Sequence, residues 1–553
     1  MGKKKNQKKT KKEIVKTEPP KILKNILGFL IMGSVILFVS IIRLRLLDVP
    51  LERDEGEYAY MGQLLLQGIL PYTEAYNMKL PGIYFVYALI LLIFGQTHTG
   101  IHLALLFVNI ATSIVLFLLG RLLISNVTGI ATGISFLLMT LSPSVQGFWA
   151  NSEHFVILPA TGGILLMLMA IERNNTKHLF LSSLLLGTAF LIKQHGILFL
   201  LFGVIYVCWS YLRKTPLNVR DFALNVGVFI LGALIPFCVI VVLFLVTGNF
   251  DRFWLFTFKY AYEYVSMVTL SEGITNFKVV FTTILKSNLT ILMLSLLGLI
   301  IIWYKETRSK WIFCYGFFIA SFLAVCPGLY FREHYFIFLL PALSLQAGIG
   351  AHFIIKSLSS NTLRTAVSVC IMTIVFVYPV LMQKKYFFKL SPVEACRVTY
   401  GPNPFPESLE VAKYIHKNTD TNERIAVLGS EPQIYFYAKR RSATSYIYMY
   451  TLTEPHKYAR EMQQEMIRQI ESCNPKYVVV VTIPTSWLMR PDSERLLMNW
   501  MPGFLEQRYT ISGIADIISP TNTIYKWGNE TLSYNPRSIS IIAIYTQKDN
   551  PEK

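Results

Sequence analysis

Eleven long, nearly uncharged apolar runs constrain this chain more than any other feature. A helix needs about 20 mostly apolar residues to cross a bilayer. The candidates are Asn25–Leu47, Ile101–Leu123, Thr128–Val145, Phe155–Ile171, Leu179–Ile192, Ile197–Leu212, Phe222–Thr247, Lys286–Tyr304, Trp311–Leu329, Tyr335–Ile355 and Thr365–Met382. With 53% hydrophobic and 15% charged residues over 553 positions, the chain has too little polar surface for a soluble fold of this length. Its seven cysteines are too few for a disulfide scaffold. The expected class is a polytopic α-helical membrane protein with about eleven transmembrane helices.

A twelfth run, Pro81–Gly95, is short and aromatic, and charge asymmetry decides its placement. If it does not cross and the Lys-rich N-terminus is cytoplasmic, the short inner loops collect eleven cations, from Arg121 through Lys305 to Arg364. The short outer loops then carry only Lys193 and Arg332. Crossing would invert every later loop and put the eleven outside, against the positive-inside rule. Pro81–Gly95 therefore reads as a helix lying at the outer interface.

The odd number of spans places residues 383–553 outside, as an extracytoplasmic α/β domain. Helical patterns near Ser408–Lys417 and His456–Ser472 alternate there with strand-like Arg424–Leu428, Tyr477–Ile483 and Ser538–Thr546. The segment Val427-Leu-Gly-Ser-Glu-Pro432 follows a strand but holds one glycine, so no nucleotide-binding loop is expected. Cys396 and Cys473 are better read as two unpaired thiols than as a bridge. No repeat, low-complexity run or metal-finger spacing is present.

The formal charge of +19 has three parts. Residues 1–24 contribute +8 as a basic cytoplasmic tail, too basic and followed by too long an apolar run for a cleaved signal peptide. The membrane region 25–382 and its flank hold +10, mostly on inner loops, and the outer domain is nearly neutral. No basic face for nucleic acid results.

The acids are arranged differently. Fourteen lie in residues 25–390, and six of them (Asp48, Glu52, Asp54, Glu55, Glu57, Glu74) crowd into the first outer loop, 48–100. Within it, residues 55–67 read as an amphipathic helix with Asp54 at its start. There a carboxylate can cap the helix and also stay permanently ionised. The same loop carries Lys79, and other outer loops add Asn151, Glu153, His154, Lys193, His195, Arg332, Glu333 and His334. Cations beside carboxylates suit a phosphate held next to a proton acceptor. For His154 and His195, an ordinary interfacial role is the simpler reading.

These residues resemble those of the GT-C superfamily of polyprenyl-phosphate-sugar-dependent glycosyltransferases, in particular the protein O-mannosyltransferase and lipid A aminoarabinose transferase type. Arg53-Asp-Glu-Gly-Glu-Tyr-Ala59 is similar to the family's Asp-Glu-x-x-Tyr-Ala. Gln67-Gly-x-x-Pro-Tyr72, leading to Lys79-Leu-Pro-Gly-Ile-Tyr84, looks like its Lys-Pro-Pro segment. Ala150-Asn-Ser-Glu-His154 stands where the family has a second acidic loop. The resemblance covers roughly residues 25–355 and includes two interfacial helices in the first outer loop. It departs at Glu153, where an Asp is common, and at Lys79, which precedes Leu-Pro.

The resemblance implies inverting sugar transfer on the extracytoplasmic face of the cell membrane, from a polyprenyl-phosphate sugar to a lipid, glycan or protein acceptor. Asp54 would be the general base and Glu153 a second catalytic carboxylate. Glu55, Tyr58, Lys79, Tyr84, His154, Lys193, Arg332 and His334 would bind substrate, with Lys79 and Lys193 near the donor phosphate. Clustered carboxylates are compatible with a divalent cation such as Mg²⁺ or Mn²⁺, but the resembled subgroup generally works without one, so no cofactor is expected. Tyr58, Tyr60 and Tyr84 also fit a membrane-belt role. A secondary transporter or lipid-sugar flippase is the alternative, although the spans are nearly uncharged and no inverted repeat is visible. A scaffold role would leave the first-loop acids unexplained.

Overall fold

The computed structural model describes residues 21–548 except 217, 305, 306 and 360. Residues 1–20 of the basic tail, and Lys305 among the loop cations, lie outside the described residues. The chain forms a helical membrane bundle with one mixed α/β domain docked on its end.

A helix corresponds to each of the eleven apolar runs: Lys21–Arg45, His98–Leu123, Asn126–Thr140, Ser152–Arg173, Thr176–Ile192, Ile197–Leu212, Val219–Val246, Leu270–Ile301, Trp311–Leu323, Leu340–Ser357 and Thr362–Met382. Seven helical segments are by length and composition able to cross a membrane alone, and those at 126–140, 176–192 and 311–323 are shorter. The protein is a multi-pass membrane protein. The run from Lys286 is part of a longer helix that begins at Leu270 and kinks at Asn288, where φ is −126°.

Three expected spans are cut short at the same end of the bundle, and this is where the polar residues sit. Asn126–Thr140 gives way to a tight turn at Pro143–Val145, Trp311–Leu323 to one at Pro327–Leu329, and Leu340–Ser357 is preceded by the 3₁₀ segment Glu333–Phe338. Proline cannot continue the helical ladder. Irregular backbone at membrane depth is tolerated where protein covers it or a cavity needs it, and these stretches carry Gln146, Arg332, Glu333 and His334.

Residues 53–94 hold two helices, Arg53–Leu66 and Gly82–Phe94. The second has 13 residues, about 20 Å of rise, the same length as Trp311–Leu323, so charge asymmetry and not length separates it from a span. It buries Tyr84, Tyr87 and Leu91 and exposes Leu89, Leu92 and Ile93, so its free face is apolar and suited to contact with lipid. The two helices touch closely at Gly62, where a Cβ would stand 2.9 Å from the Ala88 backbone nitrogen.

The C-terminal domain is a six-stranded sheet of β1 (Arg424–Leu428), β2 (Arg441–Ser442), β3 (Tyr477–Val481), β4 (Tyr509–Ser519), β5 (Asn522–Trp527) and β6 (Ile541–Gln547), in the order β2-β1-β3-β6-β4-β5. β1 runs parallel to β2 and β3, and the remaining pairs are antiparallel. Strands β4 and β5 and the helix Leu496–Arg508 had no counterpart in the sequence reading. Cys396 and Cys473 are free thiols.

The domain clasps the first loop. The Arg53 guanidinium donates to the Ser430 carbonyl at 2.6 Å and the Tyr450 hydroxyl at 2.9 Å, and pairs with buried Glu431 at 2.9 Å. The Gly-Ser-Glu turn after β1 is thus a docking clasp. Nearby, Gly56 lies so close to the Gln433 backbone that a Cβ would stand 2.6 Å from its nitrogen.

Candidate functional site

The start of helix Arg53–Leu66 settles what Asp54 does locally. Glu52, not Asp54, is the cap: its side chain accepts from the Glu55 amide, and the Glu55 carboxylate accepts from the Glu52 amide. This reciprocal capping box satisfies the orphan amides and leaves Asp54, one residue into the helix, free to face inward. The expectation of Asp54 as the cap is corrected accordingly.

Asp54 lines a cavity of about 280 Å³ between the bundle end and the C-terminal domain. Its Oδ1 accepts from Lys79 Nζ at 2.9 Å and from the Tyr448 hydroxyl at 3.1 Å. Burial pushes its carboxyl up, but Lys79, His334 and Lys193 outweigh that and hold it well below the usual carboxylate range. The dipole of its helix acts in the same direction. The same Lys79 Nζ binds Glu57 Oε2 at 2.7 Å, and Tyr84 donates to Glu57 Oε1 at 2.6 Å. Glu57 is fully buried, and its desolvation outweighs Lys79 and raises its pKa. One lysine thus holds two unlike carboxylates, with the ionised one facing the cavity. Lys79 itself is desolvated, yet the two carboxylates raise its pKa and keep it charged. Its ammonium also lies 4.7 Å from the Tyr58 ring centroid.

A second buried group stands alongside. Lys193 donates to Glu153 and sits 4.6 Å from the centre of the Tyr335 ring. His334 Nε2 is 4.0 Å from the same carboxylate, and its Nδ1 meets Gln146 Oε1 at 2.8 Å. Burial drives the His334 pKa down to about 4, so the ring is neutral near pH 7.

Arg332 differs from both lysines. It lines the cavity, and among the described residues no carboxylate lies within 4.0 Å of its guanidinium. It packs at 5.4 Å over the Tyr330 ring. Lys79 and Lys193 are already matched by carboxylates, which leaves Arg332 as the cavity cation able to receive an anion.

Of the expected site residues, the structure gathers Asp54, Lys79, Lys193 and Arg332 on the cavity wall. Glu153 and His334 stand behind Lys193, and Tyr58 and Tyr84 behind Lys79. Glu55 and His154 belong elsewhere. Glu55 is fully buried, caps its helix and meets His102 Nε2 at 2.9 Å and the Ala150 amide. His154 is fully buried with Nδ1 3.1 Å from Asn109 Oδ1. Neither lines the cavity.

Sequence reasoning missed Tyr260 and Tyr264, which come from the connection between helices 219–246 and 270–301. It also missed Tyr448, Tyr450, Thr451 and Glu454, which the C-terminal domain lowers onto the cavity. The alternating tyrosines of Tyr446-Ile-Tyr-Met-Tyr450 were the one visible signal. Glu57 was visible as part of the acidic cluster.

A divalent cation does not fit between Asp54 and Glu57 without expelling Lys79, whose ammonium takes the bridging position. Among the described residues, no group of three or more His, Cys, Asp or Glu is placed to hold a metal ion.

Comparisons with known proteins agree with this architecture. Residues 78–242, under a third of the chain, match the family described as dolichyl-phosphate-mannose-protein mannosyltransferase. No curated protein matches the sequence. ArnT from Cupriavidus metallidurans bound to undecaprenyl phosphate is similar in structure at 14% identity, with 94% of this chain and 97% of that one covered and a TM-score of 0.56. The Archaeoglobus fulgidus oligosaccharyltransferase tethered to an acceptor peptide is similar at 10% identity over 90% of this chain and 74% of that one, with a TM-score of 0.52. The same archaeal enzyme in complex with Zn and sulfate aligns at 12% identity over 93% and 75%, with a TM-score of 0.50. The chain has the GT-C fold: a helical membrane bundle with two helices in its first loop and an attached C-terminal domain.

Proposed function

We propose that this protein is an integral-membrane glycosyltransferase that moves a sugar from a polyprenyl-phosphate donor to an acceptor hydroxyl, with inversion. The observation that carries the reading is one cavity lined both by an ionised carboxylate, Asp54, and by Arg332, a cation with no carboxylate within 4.0 Å among the described residues. The match to a mannosyltransferase family over 78–242 and the likeness to a structure holding undecaprenyl phosphate support the donor class. The excess of Lys and Arg on the loops away from the cavity supports an extracytoplasmic site at the cell membrane, with the N-terminus cytoplasmic and residues 383–553 outside.

In this mechanism the donor phosphate is received by Arg332 through charge-assisted hydrogen bonds. Asp54 accepts a hydrogen bond from the acceptor hydroxyl and turns its oxygen toward the anomeric carbon. As the new C–O bond forms, the bond from that carbon to the phosphate oxygen breaks. The electron pair leaves on the polyprenyl phosphate, and Arg332 offsets its charge. The hydroxyl proton becomes strongly acidic as its oxygen is alkylated, so a carboxylate of low pKa suffices to take it. Lys79 keeps Asp54 ionised, and the Lys193–Glu153 ion pair, backed by the neutral His334 ring, stands beside it. No step requires a metal, and the Lys79 bridge supports that.

Asp54→Asn preserves shape and removes the proton acceptor. The expected outcome is loss of transfer by roughly 10²–10⁴-fold with undecaprenyl-phosphate binding kept. The measurement is single-turnover transfer from the lipid-linked sugars of the native envelope, followed by mass spectrometry of the product glycans. An Asp54→Asn protein with full activity sinks the assignment.

A further inference from the structure

The reaction outlined above uses a cation and a base, yet the cavity holds one more ionisable side chain. Glu454 ends the short helix Tyr450–Thr453, lines the cavity and is 4% exposed. Its Oε2 accepts from the Tyr260 hydroxyl, and Oε1 has no protein partner among the described residues. No Lys, Arg or His nitrogen lies within 4.0 Å of it among those residues, so Arg332 and Glu454 share one cavity without pairing. A buried carboxyl without a cation is unfavourable and is retained most readily where a ligand completes it. Tyr260 is delivered by the widened helical turn Leu255–Tyr260, an irregularity common at functional sites. Thr451, Tyr264 and Tyr450 line the same wall.

We propose that Glu454, presented by Tyr260 and flanked by Thr451, is the glycosyl-recognition subsite, accepting hydrogen bonds from hydroxyl or amino groups on a sugar ring. The inference rests on the function proposed above. A ligand that spans the cavity would put its phosphate on Arg332 and its ring on Glu454, which makes Glu454 a specificity-determining residue. Burial raises the Glu454 pKa to about 7, with Tyr260, Arg332 and Arg490 lowering it only in part. Near neutrality the carboxyl is thus available both as acceptor and as donor, which suits a polyol. The ring could belong to the lipid-linked donor or to a glycan acceptor, and the chemistry is the same.

The test uses the full-length protein in detergent, wild type against Glu454→Ala, Glu454→Gln and Tyr260→Phe. The probes are undecaprenyl phosphate, its hexosyl and amino-pentosyl esters, and free methyl glycosides added to protein saturated with undecaprenyl phosphate. Wild type is expected to bind at least one ester or glycoside more tightly than its sugar-free counterpart condition predicts. Glu454→Ala is expected to remove that increment, about 10- to 100-fold, with undecaprenyl-phosphate binding unchanged. Glu454→Gln, which keeps hydrogen-bonding capacity, and Tyr260→Phe, which breaks only the tether, are expected to keep most of it. An increment carried by the esters assigns the subsite to the donor, and one carried by the glycosides assigns it to the acceptor. No increment in wild type, or one that survives Glu454→Ala, overturns the proposal. Equal losses in Glu454→Ala and Tyr260→Phe reduce Glu454 to a tether and also overturn it. Failure of wild type to bind undecaprenyl phosphate at all instead refutes the function proposed above.

Discussion

Replacing Arg332 by Met tests the charge balance of the cavity most directly. Lys79 is shared by Asp54 at 2.9 Å and Glu57 at 2.7 Å, and Lys193 is held by Glu153. Arg332 has no carboxylate within 4.0 Å among the described residues and packs over the Tyr330 ring at 5.4 Å. A phosphate that enters the cavity therefore gains most from Arg332. Hydrogen bonds to a charged group contribute about 1.5–3 kcal/mol, or roughly 10- to 150-fold in Kd. The bidentate geometry open to a guanidinium points to the upper part of that range. Arg332→Met should weaken undecaprenyl-phosphate binding by that factor, and Arg332→Lys should recover part of it, since charge returns without the planar fork. Thermal stability should not fall, because the substitution removes a cation that no carboxylate balances. The assay is calorimetric or fluorescence titration of the full-length protein in detergent, paired with its unfolding midpoint. Wild-type affinity in Arg332→Met would show that the anion binds elsewhere, and a large stability loss would show that Arg332 is matched by a partner after all.

Other substitutions should separate support from chemistry. Lys193→Met leaves fully buried Glu153 without its cation and should lower stability by about 3–5 kcal/mol; Glu153→Gln added to it should restore part of the loss in the same unfolding assay. Gly56→Ala puts a Cβ against the Gln433 backbone, and overpacking of this kind costs about 1–3 kcal/mol. It should also slow transfer by shifting Asp54, and unchanged stability would deny the close docking. Glu454 holds its proton up to about pH 7 in the folded protein, against 4.5 for the ordinary carboxyl. The folded state thus binds more protons between those values, and stability falls as pH rises through them, by about 3 kcal/mol in all. Glu454→Gln should be more stable than wild type at pH 8 and lose that advantage by pH 4, as read from unfolding midpoints across pH.

Much of the first loop was legible in the sequence because its signals are local. Glu52 and Glu55 stand three apart, the spacing of a capping box, and the acid cluster is conspicuous in a chain so poor in charge. The cap was nevertheless assigned to Asp54, since position alone does not say which of three neighbouring acids turns back to the amides. Glu55 and His154 were grouped with the site for their chemistry, but their side chains turn into the packing between helices. The alternating tyrosines around Tyr448 and Tyr450 were visible, but that they and Glu454 reach the cavity was not, because nearly 400 residues separate Asp54 from the domain that carries them.

Sequence alone pointed to a membrane bundle, to Pro81–Gly95 as a run that does not cross, and to an α/β domain after the bundle. Those outcomes depend on hydropathy, length and charge asymmetry, which are sums over neighbours in the chain. Only the tertiary structure decided which charges meet. Lys79 and Lys193 are matched by carboxylates and Arg332 is not, and this depends on approaches of a few ångströms between residues remote in sequence. In a buried site such distances decide whether a cation supports its neighbours or waits for a ligand, since an unmatched charge is costly there and a matched one is not.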